Sequence, residues 1–124
     1  MSTVTLFELL SERERRAQKR VSLIFEHKLP VITFTLNLAG AEKRSPLSDF
    51  VFRAGEKALR EKLGNPLHYA LFDSPAGLCS FFVYNERAAV LKNICMVLED
   101  GEAGRLFDFD VTNEHGAALS RSEL

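Results

Sequence analysis

The sequence has 124 residues, of which 46% are apolar and 27% charged, and its formal net charge is −1. These values predict a single globular domain over residues 1–124 and give no indication of a nucleic-acid-binding protein. No segment resembles a signal peptide or a transmembrane helix, and the two cysteines, Cys79 and Cys95, lack CxxC spacing. We therefore expect a cytoplasmic protein with reduced thiols and no membrane partner.

The first predicted helix runs from Thr5 to about Lys28 and has a charged turn in its middle. Its apolar positions recur at one-face spacing, and they are Leu6, Leu10, Ala17, Val21 and Ile24. Within residues 11–16 the same stripe passes through charged side chains. The simpler interpretation is a solvated turn with local ion pairs. The alternative is that Glu14 and Arg15 reach a ligand and that Lys19 and Arg20 extend the basic surface.

Residues 31–38 alternate between apolar and polar side chains, which predicts a strand with one polar face. The polar face carries Thr33, Thr35 and Asn37. A loop with Gly40, Lys43 and Arg44 then leads to a helix that Ser45 caps, that begins at Pro46 and that runs to about Leu63. Its predicted buried stripe is Leu47, Phe50, Val51, Ala54, Ala58 and Leu59. Free amide groups and cations at its start suit an anion, although an ordinary basic loop is equally consistent with the sequence.

The second half of the chain predicts a hairpin, a helix and further strands. Residues 67–73 and 78–84 form the hairpin, and a helix follows from Glu86, with Asn85 as its cap, to about Glu99. After a flexible link come a strand over residues 104–111 and a short strand over 117–121. This order predicts an α+β, ferredoxin-like split βαβ (βαββαβ) sheet with an extra N-terminal helix and a short C-terminal strand. A nucleotidyltransferase-type sheet fits the same elements nearly as well.

The strand at 104–111 contains two acids on one face, Asp108 and Asp110. Aspartate is depleted in strands, and neighbouring carboxylates on one face repel each other. A divalent metal that carries phosphates would explain the pair, and Arg105 beside it suits a phosphate oxygen. A solvated edge strand with two unpaired acids explains it equally well from spacing alone. We expect the polar faces of the two strands to form one site, roofed by the N-terminal helix.

The motif at residues 104–111, with Gly116 and residues 119–121 after it, resembles the hallmark of the apo-citrate lyase phosphoribosyl-dephospho-CoA transferases, or holo-citrate lyase synthases. Residues 34–37, Gly40, Lys43 and Ser45 resemble the strand and G-x-x-K-x-S loop of that family, and residues 9–15 resemble its first helix. The resemblance runs from about Val4 to Arg121. It implies transfer of 2′-(5″-triphosphoribosyl)-3′-dephospho-CoA to a serine of the acyl carrier subunit of citrate lyase, with release of pyrophosphate.

The resemblance also implies residue roles. Asp108 and Asp110 would hold Mg²⁺ and, with Arg105, act in catalysis. The implied substrate-binding residues are Lys43, Ser45, Arg15, Glu14, Asn37 and Arg121. Where the family usually has His-Pro before G-R-L, this chain has Gly101-Glu102. That difference favours a second hypothesis, a non-catalytic ferredoxin-like module that binds an acyl carrier protein or a CoA-like nucleotide. A third, a regulatory domain that binds a small metabolite, does not explain the acid pair.

Overall fold

A computed structural model describes residues 4–40 and 42–121. The N-terminal helix and the helix after the first strand begin at side-chain caps, Thr5 and Ser45, each of which forms a capping box with the residue three positions later. None of the described helices combines the length and apolar character that a membrane span requires. In chain order the elements are α1 (Leu6–His27), β1 (Val31–Leu36), α2 (Pro46–Leu63), β2 (His68–Ser74), β3 (Gly77–Val83), α3 (Ala88–Asp100), the 3₁₀-helix η1 (Glu102–Leu106) and β4 (Phe107–Thr112).

The four strands form one sheet in the order β2-β3-β1-β4, and every neighbouring pair is antiparallel. β1 and β2 run in the same direction with β3 between them, which is the split βαβ arrangement. The predicted ferredoxin-like topology is therefore confirmed. The short C-terminal strand pairs with β4 through one antiparallel bridge, between Thr112 and Ala118.

One face of the sheet packs against α2 and α3 in an aromatic core. The Phe34 ring stacks between Phe52 and Phe109, with centroid distances of 4.7 and 4.4 Å. α2 approaches closely because Gly55 has no side chain: a Cβ there would lie 2.3 Å from the Phe34 ring. The alternation predicted for β1 and β4 is confirmed, since their apolar residues lie in this core.

The opposite face packs against α1, and the buried apolar side chains that the helix contributes there, Leu23 and Ile24, come from its C-terminal half. Leu23 and Ile24 contact a second buried cluster that contains Val31, Phe81 and Val83. The predicted α1 stripe was largely wrong, because Leu6, Leu10 and Val21 are exposed. The middle of α1 instead directs charged side chains, Glu12, Arg16 and Arg20, toward the polar residues of the sheet.

Three other sequence predictions need correction. The helix predicted from Glu86 with Asn85 as its cap begins at Ala88, after Arg87, and has no side-chain cap. In α2 the predicted Leu47 and Phe50 are exposed, and the sheet-facing residues are Phe52, Gly55, Glu56 and Leu59. The strand predicted to begin at Gly104 begins at Phe107, after η1. Gly104 is buried where a Cβ would lie 1.8 Å from the Leu98 carbonyl oxygen. This packing against the end of α3 holds residues 102–106 in a helical turn.

Candidate active site

The two predicted polar strand faces form a four-residue cluster on the α1 side of the sheet. In the β1–β4 register, Thr33 lies opposite Asp110 and Thr35 lies opposite Asp108. Side chains opposite each other on one sheet face have Cβ atoms about 5 Å apart. The neighbouring positions, such as Phe34 and Phe109, point to the aromatic core. The alternation thus places both carboxyl groups with both hydroxyl groups, as the sequence predicted.

The N-terminal half of α1 covers this cluster and encloses a cavity of about 520 Å³, here called the α1–sheet cavity. Its walls combine apolar side chains at the helix start, charged side chains from the middle of the helix and the polar cluster of the sheet. The lining residues are Leu6, Leu9, Leu10, Glu12, Arg13, Arg16, Arg20, Thr33, Thr35, Ala76, Asp108 and Asp110. The cavity is large enough for a phosphate-bearing ligand.

Three arginines of α1 face the acids across the cavity. Arg20 Nε donates a hydrogen bond to Thr33 Oγ1 at 3.3 Å, which places its guanidinium beside the residue opposite Asp110. Arg16 Nη2 donates to the Gly77 carbonyl oxygen at 3.2 Å. Arg13 lies at the cavity wall on the preceding turn. Guanidinium groups held in this way can present further N–H donors to phosphate oxygens.

Glu12 fixes the orientation of the arginine-bearing turn. Its side chain is 7% exposed and accepts hydrogen bonds from Arg15 Nε at 2.7 Å and Arg16 Nε at 3.2 Å. Burial alone would raise the pKa of Glu12, but the hydrogen bonds and charges of the two arginines outweigh it and hold the pKa below its usual value. Glu12 therefore remains ionised and anchors Arg16 at the cavity.

The acid pair creates an unsatisfied negative potential. Burial, followed by the charges of Asp110 and Glu99, raises the pKa of Asp108 to about 6. A divalent cation between the carboxyl groups would remove this repulsion. Among the described residues no group of three or more His, Cys, Asp or Glu side chains could hold a metal. Two carboxyl groups on one sheet face are a donor set that Mg²⁺ could use, because it usually takes one or two carboxylates and completes its shell with water and phosphate.

Lys43 lies in a smaller cavity of about 200 Å³ that adjoins the first. The two cavities share Leu9, Arg16, Thr35 and Ala76 in their linings. Lys43 Nζ donates to the Leu38 carbonyl oxygen at 2.6 Å, so the ammonium group is held near this shared wall. The predicted loop and the acid-bearing strand thus contribute to one continuous site.

Arg44, unlike the neighbouring Lys43, does not line either of these two cavities. It pairs with Asp49 and with Asp73, and the hydrogen bonds that it donates to the Asp49 carboxylate are the main reason that its pKa is raised. These contacts fasten the start of α2 to the β2–β3 hairpin. Arg44 is therefore engaged within the protein, and Lys43 is the residue of this pair that lines the cavity.

The other predicted site residues lie outside the lining of these two cavities, and their roles stay predictions. Arg15 is clasped by Glu12 and stacks over the Phe72 ring at 3.9 Å, while Glu14 accepts a hydrogen bond from Gln18. Ser45 Oγ accepts from the Ser48 amide as the α2 cap. The exposed Asn37 donates its backbone amide to Leu106, and Arg105 is exposed in η1. Arg121 pairs with Glu99 and Asp100.

Sequence reasoning did not select Arg13, Arg16 or Arg20 as site residues. A signal was present, because their spacing of three and four positions places them on one helical face. It was hidden because the apolar stripe was assumed to mark the sheet-facing side. In α1 the sheet-facing side follows Glu12, Arg16 and Leu23 instead.

The fold and cavity define a small α+β domain of ferredoxin-like topology whose open sheet face carries an acid pair beneath an arginine-bearing helix. Its sequence matches the family model of the apo-citrate lyase phosphoribosyl-dephospho-CoA transferases over residues 4–124. The chain therefore belongs to this family, and it is an enzyme of the phosphoribosyl-dephospho-CoA transferase type. The family expected from residues 104–121 is confirmed.

Several curated proteins are similar to the chain over nearly its whole length. A probable apo-citrate lyase phosphoribosyl-dephospho-CoA transferase of Vibrio cholerae serotype O1 (strain M66-2) is 33% identical over 125 residues, which cover 96% of this chain and 70% of the relative. The enzyme of that name from Citrobacter koseri is 32% identical, with coverage of 95% and 67%. Protein CitXG of Haemophilus influenzae is 32% identical over 99% of this chain, but over 28% of its own length.

Proposed function

We propose that the protein transfers the prosthetic-group precursor 2′-(5″-triphosphoribosyl)-3′-dephospho-CoA to a serine of the acyl carrier subunit of citrate lyase. The serine oxygen attacks the phosphorus that is attached to ribose and forms a phosphodiester. The bond from that phosphorus to the bridging oxygen breaks, pyrophosphate leaves with the electron pair, and the serine proton passes to Asp110. The observation that carries the proposal is the cavity in which Asp108 and Asp110 face Arg16 and Arg20.

The cavity supplies the charges that this transfer requires. A triphosphate is strongly anionic, and catalysis of phosphoryl transfer rests largely on positioning and charge neutralisation. Arg13, Arg16 and Arg20 would bind the phosphate chain from the helix side, with Lys43 at the adjoining wall. Asp108 and Asp110 would hold Mg²⁺, which when bound supplies neutralisation of the leaving pyrophosphate.

A second candidate function is binding of the carrier protein or a CoA-like nucleotide without turnover. The observation in its favour is Gly101-Glu102 at the usual His-Pro position. In addition, the described lining of the α1–sheet cavity contains no histidine. The acid pair favours the transferase, because a binding module has little need of two repelling carboxylates. The buried free thiols Cys79 and Cys95 support the cytoplasm as the place of the reaction.

The two functions are separated by incubating the protein with apo acyl carrier subunit, the triphosphoribosyl precursor and Mg²⁺ and then measuring the mass of the carrier. We expect the carrier to gain the mass of the prosthetic group. Asp108→Asn, Arg16→Met and Arg20→Met should each slow the gain by about 100-fold, as removal of one preorganised charge contact does. Arg15→Met is the matched control, because it removes an arginine from the same helix but outside the cavity.

Two results would contradict the transferase. One is a carrier that binds tightly but never gains mass, which supports the binding module. The other is equal activity of Asp108→Asn and the unmodified protein. If Arg15→Met is the most damaging arginine variant, the transferase stands, but its phosphate site lies on the Phe72 side of α1.

A further inference from the structure

A second groove lies beside the α1–sheet cavity, on the other side of Arg20. It has a volume of about 440 Å³ and runs between the C-terminal half of α1 and the turn that follows β4. Val21, Ile24 and Phe25 form its helix wall, and Lys28 and His115 line it with them. Arg20 lines both the groove and the cavity, so the two spaces adjoin at this side chain. We call it the α1–turn groove.

We infer that the α1–turn groove binds the adenosine diphosphate part of the substrate, with adenine against Val21 and Phe25 and the diphosphate at Lys28, whose ammonium group covers the Phe25 ring in the free protein and would leave it for the diphosphate. This inference rests on the proposed function, since it assigns the remainder of the same substrate. The triphosphate would lie in the α1–sheet cavity, and Arg20 would stand where the two parts of the molecule join.

The groove walls have the chemistry that a planar base requires. Val21 is 66% exposed and Phe25 is 74% exposed, so both present apolar surface that the fold leaves uncovered. Aromatic and aliphatic faces bind nucleobases by stacking, largely without regard to sequence. Glu114 lines the groove as a hydrogen-bond acceptor for the exocyclic amine of adenine or for a ribose hydroxyl. Its Oε1 lies 3.5 Å from His115 Nε2, and both side chains line the groove.

The charges along α1 have a spacing that matches the substrate. Lys28 follows Arg20 by eight residues, which corresponds to about 12 Å along a helix. In the substrate two ribose rings separate the triphosphate from the diphosphate, and they span a distance of the same order. Lys28 Nζ lies over the Phe25 ring, 4.1 Å from its centre, so the ammonium group is at the apolar wall of the groove. A base that stacks on this ring face would displace the ammonium group toward the phosphates of the ligand. Lys28 also offsets the negative carbonyl end of α1.

The size of the groove favours a small ligand over a docked protein segment. A volume of about 440 Å³ is within the range of small-molecule sites. The carrier protein must present its serine at the phosphate chain, in the neighbouring cavity. A ligand that occupies both spaces would leave the mouth of that cavity, beside Leu6 and Leu10, for the carrier.

The inference is tested by titrating dephospho-CoA, which serves as the probe, into the full chain and measuring its affinity by calorimetry. Val21→Glu places a bulky anion in the groove and should weaken binding by about tenfold or more. Val97→Glu is a matched control, because Val97 is also a helical valine, is 63% exposed and lies on α3. Lys28→Asn should weaken binding by about tenfold through loss of a charge-assisted contact.

Asparagine is chosen at position 28 because Lys28 has a left-handed backbone with φ of 56°, which asparagine tolerates well. A loss of affinity in Lys28→Asn then reports the missing charge and not a strained backbone. Circular dichroism of each variant should match that of the unmodified protein. Failure of dephospho-CoA to bind, equal affinity in Val21→Glu, or equal losses in Val21→Glu and Val97→Glu would each overturn the inference.

Inorganic triphosphate with Mg²⁺ separates this inference from the proposed function. Asp108→Asn should abolish triphosphate binding, whereas Val21→Glu should leave it unchanged. If the groove variants bind dephospho-CoA more weakly but no carrier is ever modified, the groove assignment is supported and the proposed transferase function is contradicted. If transfer proceeds and Val21→Glu has the unmodified KM for the precursor, the transferase stands and the groove assignment fails.

Discussion

At the scale of single residues, Asp108 is an aspartate whose ionised form the fold disfavours. Burial and the neighbouring acids raise its pKa from the ordinary value of 3.8 to about 6. Below the ordinary value the group is protonated in both the native and unfolded states and contributes nothing to stability. Between pH 3.8 and about 6 the unfolded state has released more of this proton than the native state, so the free energy of unfolding falls over that interval and levels off above it. The metal-free native protein is therefore weakened at neutral pH.

Asp108→Asn should consequently stabilise the metal-free protein near neutral pH. We expect a gain of about 1 kcal/mol in the free energy of unfolding, after allowing for water screening of this half-exposed group. The gain should vanish below about pH 4, where the protonated aspartic acid of the parent and the asparagine of the variant are both neutral. Urea unfolding at the two pH values measures it, with the exposed acid variant Glu61→Gln as control. A variant less stable than the parent at neutral pH would contradict the prediction.

Gly104 provides a steric prediction at the same scale. A Cβ at this position would lie 1.8 Å from the Leu98 carbonyl oxygen, a backbone atom that cannot rotate away. Gly104→Ala should therefore lower the free energy of unfolding by about 3 kcal/mol, the upper end for overpacking. Gly101→Ala is the control, because its Cβ would meet the same oxygen at 3.4 Å and its φ is −68°. Thermal unfolding should show a large loss for residue 104 and none for residue 101.

At the scale of elements, the start of α2 distinguishes a structural role of Ser45 from a ligand role. Ser45 Oγ accepts from the Ser48 amide at 3.0 Å, so Ser45→Ala should cost about 1 kcal/mol of stability. Ser45→Asp keeps a capping oxygen and should unfold like the parent. If Ser45 also binds a substrate phosphate, as predicted from the sequence, the new carboxylate should repel it and raise the KM for the precursor. An unchanged KM in Ser45→Asp would leave Ser45 as a cap alone.

The elements also show what the sequence could specify. The strict alternation in β1 and β4 determined which residues face the core, so the cluster of Thr33, Thr35, Asp108 and Asp110 was predictable. Ser45 and Pro46 likewise marked the start of α2 correctly. A strand repeat of two leaves only two choices of face, and a cap is a local signal. Both are specified by neighbouring residues and do not depend on distant packing.

The faces of the helices were less predictable, for a physical reason. Periodicity indicates the sheet-facing side only when that side is apolar. In α1 the middle of the sheet-facing side is Glu12, Arg16 and Arg20, because that part covers a polar cavity. In α2 the buried Glu56 is paired with Arg53 and Tyr69, so a charged residue occupies a core-facing position. The Arg53–Glu56 pair is local and has the same spacing as an exposed ion pair, and the Tyr69 contact depends on tertiary packing, so neither marks Glu56 as buried in the sequence.

At the scale of the whole molecule, the sheet separates two unequal layers. The α2–α3 side has a continuous core that includes Phe34, Phe52 and Phe109. On the α1 side, the buried apolar cluster of the described residues lies around Leu23 and Ile24, and the N-terminal half of the helix lies over the α1–sheet cavity. Local opening follows the density of buried apolar contacts. The N-terminal half of α1 is therefore the part of the roof best able to move when a ligand enters.

Hydrogen exchange should reveal this difference and its dependence on ligand. In the free protein, amides of residues 9–16 should exchange at lower opening free energy than those of residues 52–59 in α2. Mg²⁺ and inorganic triphosphate should slow exchange in residues 9–16, because Arg13 and Arg16 would then hold the helix to the phosphates. At 100 times the dissociation constant the protection can rise by about 2.7 kcal/mol, provided the opened form does not bind. Asp108→Asn should remove the increase, and in the ligand-free variant residues 9–16 should still exchange at lower opening free energy than residues 52–59. Equal protection of both helices, or an increase confined to α3, would show that α1 is not the mobile roof of this site.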